Sequence, residues 1–297
     1  MKNKLVSVII PSYNHESYIQ DSLNSVFCQT YENLEIIVLD DGSKDSSREI
    51  LKSLTRNNRF ELILKENEGL CATLNRGLSL ANGEYIVLLA SDDLMPINRI
   101  KEQVEFLENN HAVDVVAGAI NLINENGASL GSKKPKFIGK ISFEDMLRRN
   151  AVFAPTAMIR KSVYDRVGTY REDYAFEDYY LWLRLLKNNG VIVNTNNIWA
   201  SYRMDVASFE KKFLWYLKGY KQILSDYSGI RKVKWLIFRA QLNFAIKMAL
   251  LLGSNIFKKY SNELSPLPWF MKPLIWTLSS VPNVVRQKLL NLILQKV

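Results

Sequence analysis

Short apolar runs alternate with longer segments of helical spacing through the first half of the chain. Leu5–Ile10 is an apolar run closed by Pro11-Ser12, and Tyr18–Cys28 then places Ile19, Leu23 and Val26 on one helical face. Leu34–Leu39 reads as the next strand and ends in the turn Asp40-Asp41-Gly42-Ser43. Ser46 or Ser47 is placed to cap a helix reaching Leu54. Glu61–Leu64 predicts a third strand, Leu70–Leu80 a helix after Gly69, and Tyr85–Leu89 a fourth strand ended by Ala90-Ser91-Asp92-Asp93. Pro96 stands near the start of a helix running to Asn109. Val113–Ala117 predicts a fifth strand. Near-continuous apolar strands joined by helices predict a parallel sheet covered on both faces. In such sheets ligands gather beyond the carboxyl ends of the strands. That rule singles out Pro11–Glu16, Asp40–Ser43 and Ser91–Asp93.

The pattern then changes. Residues 124–140 are rich in Gly, Lys and Ser and read as a long mobile loop. From Phe209 onward basic helical segments take over, broken late by Pro266, Pro268, Pro273 and Pro282. This divides the chain into a domain at 1–208 and a basic amphipathic region at 209–297. The net charge of +9 is unevenly spread, because residues 209–297 hold fifteen Lys and Arg against three Asp and Glu. A basic end on a near-neutral body predicts an anionic partner surface. Four of the six tryptophans, Trp215, Trp235, Trp269 and Trp276, fall in this stretch. Aromatic, basic and long aliphatic residues together suit a lipid headgroup zone better than a nucleic acid. The expectation is a peripheral attachment to the inner face of the plasma membrane, on its cytoplasmic side, with no nucleic-acid partner. No stretch nears the length of a conventional spanning helix, and Leu5–Ile10 is too short for a signal peptide.

Composition narrows the classes further. Apolar residues are 47% and charged residues 23%, which excludes a disordered or low-complexity chain. Cys28 and Cys71 are the only cysteines, so a disulfide framework is excluded and a reducing compartment is expected. Both are read as core residues. His15 and His111 are too few for a conventional four-ligand zinc site, and they are read as a polar loop residue and a helix cap. No phosphate-loop or dinucleotide fingerprint occurs.

Three acidic or polar turns carry the candidate chemistry. Asp92-Asp93 on a tight turn after a strand suits a hard divalent cation, Mn²⁺ or Mg²⁺. Such a cation neutralises a departing diphosphate. The plain structural reading is a cap on the following helix. Asp41 can accept the N–H of a pyrimidine ring, although Asp-Gly is also a routine turn former. Pro11-Ser12-Tyr13-Asn14 offers polar groups and a ring able to stack on a base. Glu177-Asp178 either complements the dipole of the helix it begins or supplies a general base.

These turns, in this order, resemble the family 2 glycosyltransferases of the GT-A fold. The resemblance runs through VSVIIPSYN (Val6–Asn14), LEIIVLDDGSKDSS (Leu34–Ser47), NEGLCATLN (Asn67–Asn75), ANGEYIVLLASDD (Ala81–Asp93) and FEDYYLWLRL (Phe176–Leu185). It covers residues 4–208. It implies an α/β, Rossmann-like, mostly parallel sheet flanked by helices, here with a basic C-terminal helical extension. It also implies a UDP-sugar donor and a nucleotide pocket lined by Pro11, Tyr13 and Glu16, with Asp41 on the uracil. Asp93 would be the direct metal ligand and Asp92 would lie nearer the ribose, as a second candidate ligand. Asp178 would be the general base of an inverting transfer, with Glu177 in support. The acceptor implied is an undecaprenyl-diphosphate-linked saccharide of cell-surface polysaccharide, O-antigen or capsule, assembly. The chain departs from the family at Tyr202-Arg203-Met204-Asp205, where Tyr-Arg-x-His is usual. Arg203 then offers a phosphate contact and Asp205 a further candidate ligand. The absence of Gln-x-x-Arg-Trp argues against a processive synthase. Two other classes stay open at this level: a nucleotidyltransferase acting on sugar phosphates, and a non-catalytic UDP-binding module at the membrane.

Overall fold

The computed structural model describes residues 4–204 apart from Ala175, residues 221–230, and isolated positions between Gly219 and Ile246. The chain divides into two units, Met1–Ala207 and Ser208–Val297. The first is built on β1 (Val6–Ser12), whose Val6, Val8, Ile9 and Ile10 are fully buried because helices cover both faces of the sheet. β1 pairs in parallel with β2 (Leu34–Asp41) and β4 (Tyr85–Leu88), and β2 pairs in parallel with β3 (Glu61–Lys65). The connecting helices are α1 (Ile19–Phe27), α2 (Ser47–Leu54) and α3 (Leu70–Leu80). α3 lies flush on β1: a Cβ on Gly77 would come within 2.5 Å of Ile9 Cγ2.

Beyond β4 the mostly parallel sheet expected from the sequence takes in antiparallel strands as well. α4 (Arg99–Asn109) leads to β5 (Val115–Ile123), which is longer than predicted. The three-residue strand β8 (Met158–Arg160) lies between β4 and β5, antiparallel to both. β9 (Ile192–Arg203) runs parallel to β5. The order is β3-β2-β1-β4-β8-β5-β9, closed at the β9 edge by β7 (Gly139–Ile141), with β6 (Ser129–Lys133) paired to β5. A strand as short as β8 leaves no alternation to read in the sequence.

Residues 124–140 also differ from the expected loop. They contain β6 (Ser129–Lys133) and β7 (Gly139–Ile141), antiparallel to β5 and β9. Every residue of β6 is exposed, so no buried face exists to give it an apolar signature. The rest of the unit is α5 (Phe143–Arg148), α6 (Ser162–Val167) and α7 (Glu177–Lys187). α7 buries seven side chains, from Tyr179 and Trp182 to Leu186, which fixes its N-terminal Glu177-Asp178 against the sheet.

Three local expectations are corrected. Ser46 occupies the N-cap of α2, but its side chain makes no capping bond; Glu16 Oε2 accepts the Ser46 N–H at 2.7 Å and Asp45 Oδ1 the Ser47 N–H at 3.0 Å. Cys28 is exposed at the end of α1 and Cys71 is only half-buried, so neither is a core residue. His111 lies exposed beyond α4, whose C-cap is Asn110. The basic helical extension expected at 209–297 lies largely outside the described residues, as does Asp205. Among the described residues no helix is long and apolar enough to cross a membrane.

Candidate active site

The three turns singled out in the sequence meet at the carboxyl ends of β1, β2 and β4. Asp93 is 1% exposed and is held by the end of β9. Its Oδ1 accepts the Arg203 N–H at 2.8 Å, and Leu94 pairs with Ser201 through two backbone bonds. Asp93 Oδ2 is buried and has no partner among the described residues. Burial, and then the neighbouring charge of Asp92, push the Asp93 carboxyl up to about 7. A buried carboxylate oxygen left without a donor is costly, and it fits a hard cation as its missing partner. Asp92 stands beside it, partly exposed. Asp93 and Asp92 would therefore hold Mn²⁺ or Mg²⁺. Among the described residues no cluster of three or more His, Cys, Asp or Glu joins them.

Arg203 is the clamp behind this turn. Its Nε donates to the Asp92 carbonyl at 2.8 Å, and its Nη1 donates to the carbonyls of Asn124 and Glu125 at 2.8 and 2.7 Å. The guanidinium lies over the Tyr18 ring, 4.4 Å from its centroid. The phosphate-binding role expected for Arg203 thus meets a side chain already engaged in holding three loops together. His15, expected as a plain loop residue, reaches the same turn: its Nδ1 is 2.7 Å from Ser91 Oγ and its Nε2 is 4.0 Å from Asp92 Oδ2. Arg99 lies fully buried below. Burial lowers its pKa to about 9, against the opposing charge of Asp93. A lone His whose partner is 76 residues away carries no spacing signal.

The β2 turn is tightly braced. Gly42 takes φ +79°, and a Cβ there would meet Asn67 N at 2.7 Å. Asp41 accepts from Lys65 Nζ and from the Glu68 and Gly69 N–H groups, both at 2.9 Å. Burial alone would raise the Asp41 pKa, but these donors outweigh it and hold the carboxyl below its usual range. Asp41, proposed from the resemblance as a uracil contact, therefore already accepts several bonds from its own chain. Asp40 is fully buried and accepts from Arg48 Nε at 2.7 Å. Glu16 spends its carboxylate on the α2 N-terminus, whereas Tyr13 is 43% exposed and available to a ligand ring.

Glu177 and Asp178 share one cavity with the ends of β1 and β4. Its volume is about 140 Å³, and Pro11, Leu89, Ala90, Trp182, Glu177 and Asp178 are among the residues lining it. Ala90 precedes Ser91-Asp92-Asp93 in the chain, so the cavity holding Asp178 reaches the strand end from which the acidic turn leaves, while the carboxylates of that turn are not among its lining residues. Asn150 Nδ2 donates to Asp178 Oδ2 at 3.0 Å, a contact with no sequence signature. Burial raises the Asp178 pKa against the pull of that bond. Burial, reinforced by the adjacent Asp178, pushes Glu177 to about 7. Asp205 is outside the described residues.

The α/β sheet, with its acidic turn and the carboxylate pair that opens α7, is that of a glycosyltransferase by comparison with known proteins. Residues 7–168 match the profile described as Glycosyl transferase family 2. The chain belongs to this family. It is 31% identical over 234 residues, 76% of its length and 88% of the relative's, to the Escherichia coli UDP-Glc:alpha-D-GlcNAc-diphosphoundecaprenol beta-1,3-glucosyltransferase WfgD. It is also 34% identical over 189 residues, 62% of its length, to a Rickettsia felis glycosyltransferase, and it spans about a third of that relative. Its fold resembles S. aureus TarS 1-349 in complex with UDP-GlcNAc, with TM-score 0.63, 18% identity, and coverage of 93% of this chain and 79% of that one. The Pyrobaculum calidifontis mannosyltransferase PcManGT, in complex with GDP-Man and Mn²⁺, has TM-score 0.60 and 17% identity, with 95% and 87% covered.

Proposed function

We propose that this enzyme transfers a hexose or N-acetylhexosamine from a UDP-sugar to a lipid-diphosphate-linked saccharide, with inversion and with dependence on a divalent cation. One observation carries the reading: Asp178 lines the same cavity as Pro11 and the β4 end that leads into Asp92-Asp93. On this reading the acceptor meets Asp178 inside the cavity and the donor diphosphate lies at the β4 end beyond Ala90. UDP as the donor nucleotide is supported by the similarity to WfgD, a UDP-Glc-dependent glucosyltransferase, and by the fold shared with TarS in complex with UDP-GlcNAc. The lipid-linked acceptor is supported by the name of WfgD. The basic balance of residues 209–297 supports an acceptor met at the anionic inner face of a cell-surface-polysaccharide-producing membrane.

Asp178 removes the proton from the attacking acceptor hydroxyl as that oxygen closes on the sugar carbon from the face opposite the nucleotide. Its raised pKa makes it a stronger base than a solvated aspartate. Asn150 orients the carboxylate through Oδ2. Glu177 sits beside it in the cavity. Tyr13 and Pro11 border the nucleotide. When bound, a Mn²⁺ or Mg²⁺ ion held by Asp93 and Asp92 supplies charge neutralisation for the departing diphosphate. Arg203 keeps both carboxylates in place rather than meeting the substrate first.

The test is a donor panel with the full-length protein, Mn²⁺ and a synthetic diphospholipid-linked monosaccharide. The expected product carries a β-linkage, seen by NMR, formed from an α-linked UDP-sugar. An α-linked product overturns inversion, and the absence of transfer from every UDP-sugar overturns the donor assignment.

A further inference from the structure

Residues 126–140 contain four lysines, Lys133, Lys134, Lys136 and Lys140, and no Asp or Glu. All four are exposed. Two aliphatic side chains stand among them in water, Leu130 at 58% and Ile138 at 49% exposure. Leu130 is out because the β5–β6 pairing slips between Leu122 and Ile123: Gly131 faces Leu122 and Ser129 faces Ile123, leaving Leu130 unmatched. Lysines on edge strands also block sheet-to-sheet aggregation. That role covers Lys133 and Lys140, but not Lys134 and Lys136 in the connection, and it gives no reason to expose Leu130 and Ile138.

Both ends of this segment are tied to the cleft. At its start, Arg203 binds the Asn124 and Glu125 carbonyls with the same guanidinium that holds Asp92. At its end, Asn194 Nδ2 donates to the Phe137 carbonyl at 3.0 Å and to the Ala151 carbonyl at 2.8 Å. Ala151 follows Asn150, the donor to Asp178. The two ends of the segment are therefore linked by hydrogen bonds to the acidic turn and, through Ala151 and Asn150, to Asp178.

We propose that this hairpin docks on an anionic lipid surface, its lysines against the headgroups and Leu130 and Ile138 in the interfacial zone. Charge and apolar exposure together fit that occupant; a free anion would not draw on the aliphatic side chains. The orientation brings the cleft to an acceptor anchored in the same bilayer, and in that respect it rests on the lipid-linked acceptor proposed above.

The experiment is co-sedimentation of the full chain with phosphatidylglycerol–phosphatidylcholine vesicles. The wild type is compared with Lys133→Gln/Lys134→Gln/Lys136→Gln/Lys140→Gln and with Leu130→Ser/Ile138→Ser. The 209–297 region is common to all three proteins, so the differences report the hairpin. A basic residue near such a surface is worth about fivefold in affinity, and the lysine variant is expected to bind at least about 30-fold more weakly. The aliphatic variant is expected to lose about fivefold. Binding of the lysine variant within twofold of wild type overturns the proposal. Transfer to a short-chain, water-soluble diphosphate acceptor should be equal in wild type and lysine variant. A selective loss there would place the lysines on the acceptor's own phosphates and overturn the lipid assignment. If the wild type uses no acceptor, the activity reading fails while the vesicle comparison still decides the docking.

Discussion

Replacing Glu177 by Gln isolates the electrostatics of the cavity. Glu177 shares its walls with Leu70, Leu74 and Trp182, and its carboxylate adjoins Asp178. Burial first, and Asp178 second, raise its pKa from 4.5 to about 7. The fold therefore favours the protonated acid. That contribution is complete below the unfolded pKa near 4.5 and is lost as pH rises through 7. At 1.36 kcal/mol for each pH unit separating folded and unfolded values, the loss is about 3 kcal/mol. Partial exposure of the side chain trims it to about 2 kcal/mol. Asp178 adds a loss of the same sign, because its pKa is raised too. The Gln variant keeps the shape and neutrality of the protonated acid at every pH. Urea unfolding at pH 5 and pH 8.5 should show the wild type losing about 2 kcal/mol more stability over that interval than Glu177→Gln. Equal losses in the two proteins would refute the claim that Glu177 is held protonated by its surroundings.

Arg203→Met removes three hydrogen bonds to loop carbonyls at once. It should lower stability by about 2–4 kcal/mol and weaken UDP–Mn²⁺ binding by more than about tenfold, as read by denaturation and calorimetry. Arg48→Met leaves the fully buried Asp40 without its guanidinium and should cost about 2–4 kcal/mol in urea unfolding, with UDP binding to the folded protein retained. Stripping the protein with EDTA should abolish sugar transfer, and Mn²⁺ should restore it; full activity after chelation would contradict the role given to Asp92 and Asp93.

The half of the fold nearest the N-terminus was legible because its strands are buried on both faces and its helices are amphipathic. The predicted Leu70–Leu80 helix matches α3 residue for residue. What stayed hidden lacks such a pattern. β8 is three residues long, and β6 has no buried side chain. Within the site, carboxylates at strand ends were visible because strand ends are where ligands gather. Asn150 and the reach of His15 to Ser91 were not, since they depend on contacts spanning 28 and 76 residues in sequence. The same reason explains Arg203: its residue type was noticed, while its carbonyl partners are set only by the meeting of β9 with the acidic turn.

The central claim is that Asp178 deprotonates the acceptor inside a cavity that reaches the β4 end, beyond which the donor diphosphate lies. Asp178→Asn keeps the size of the side chain and removes its basicity. With a working UDP-sugar and lipid-linked acceptor, its kcat should fall by about 10²–10⁴, while UDP binding in Mn²⁺ stays within about twofold of wild type. Turnover at the wild-type rate would contradict the account.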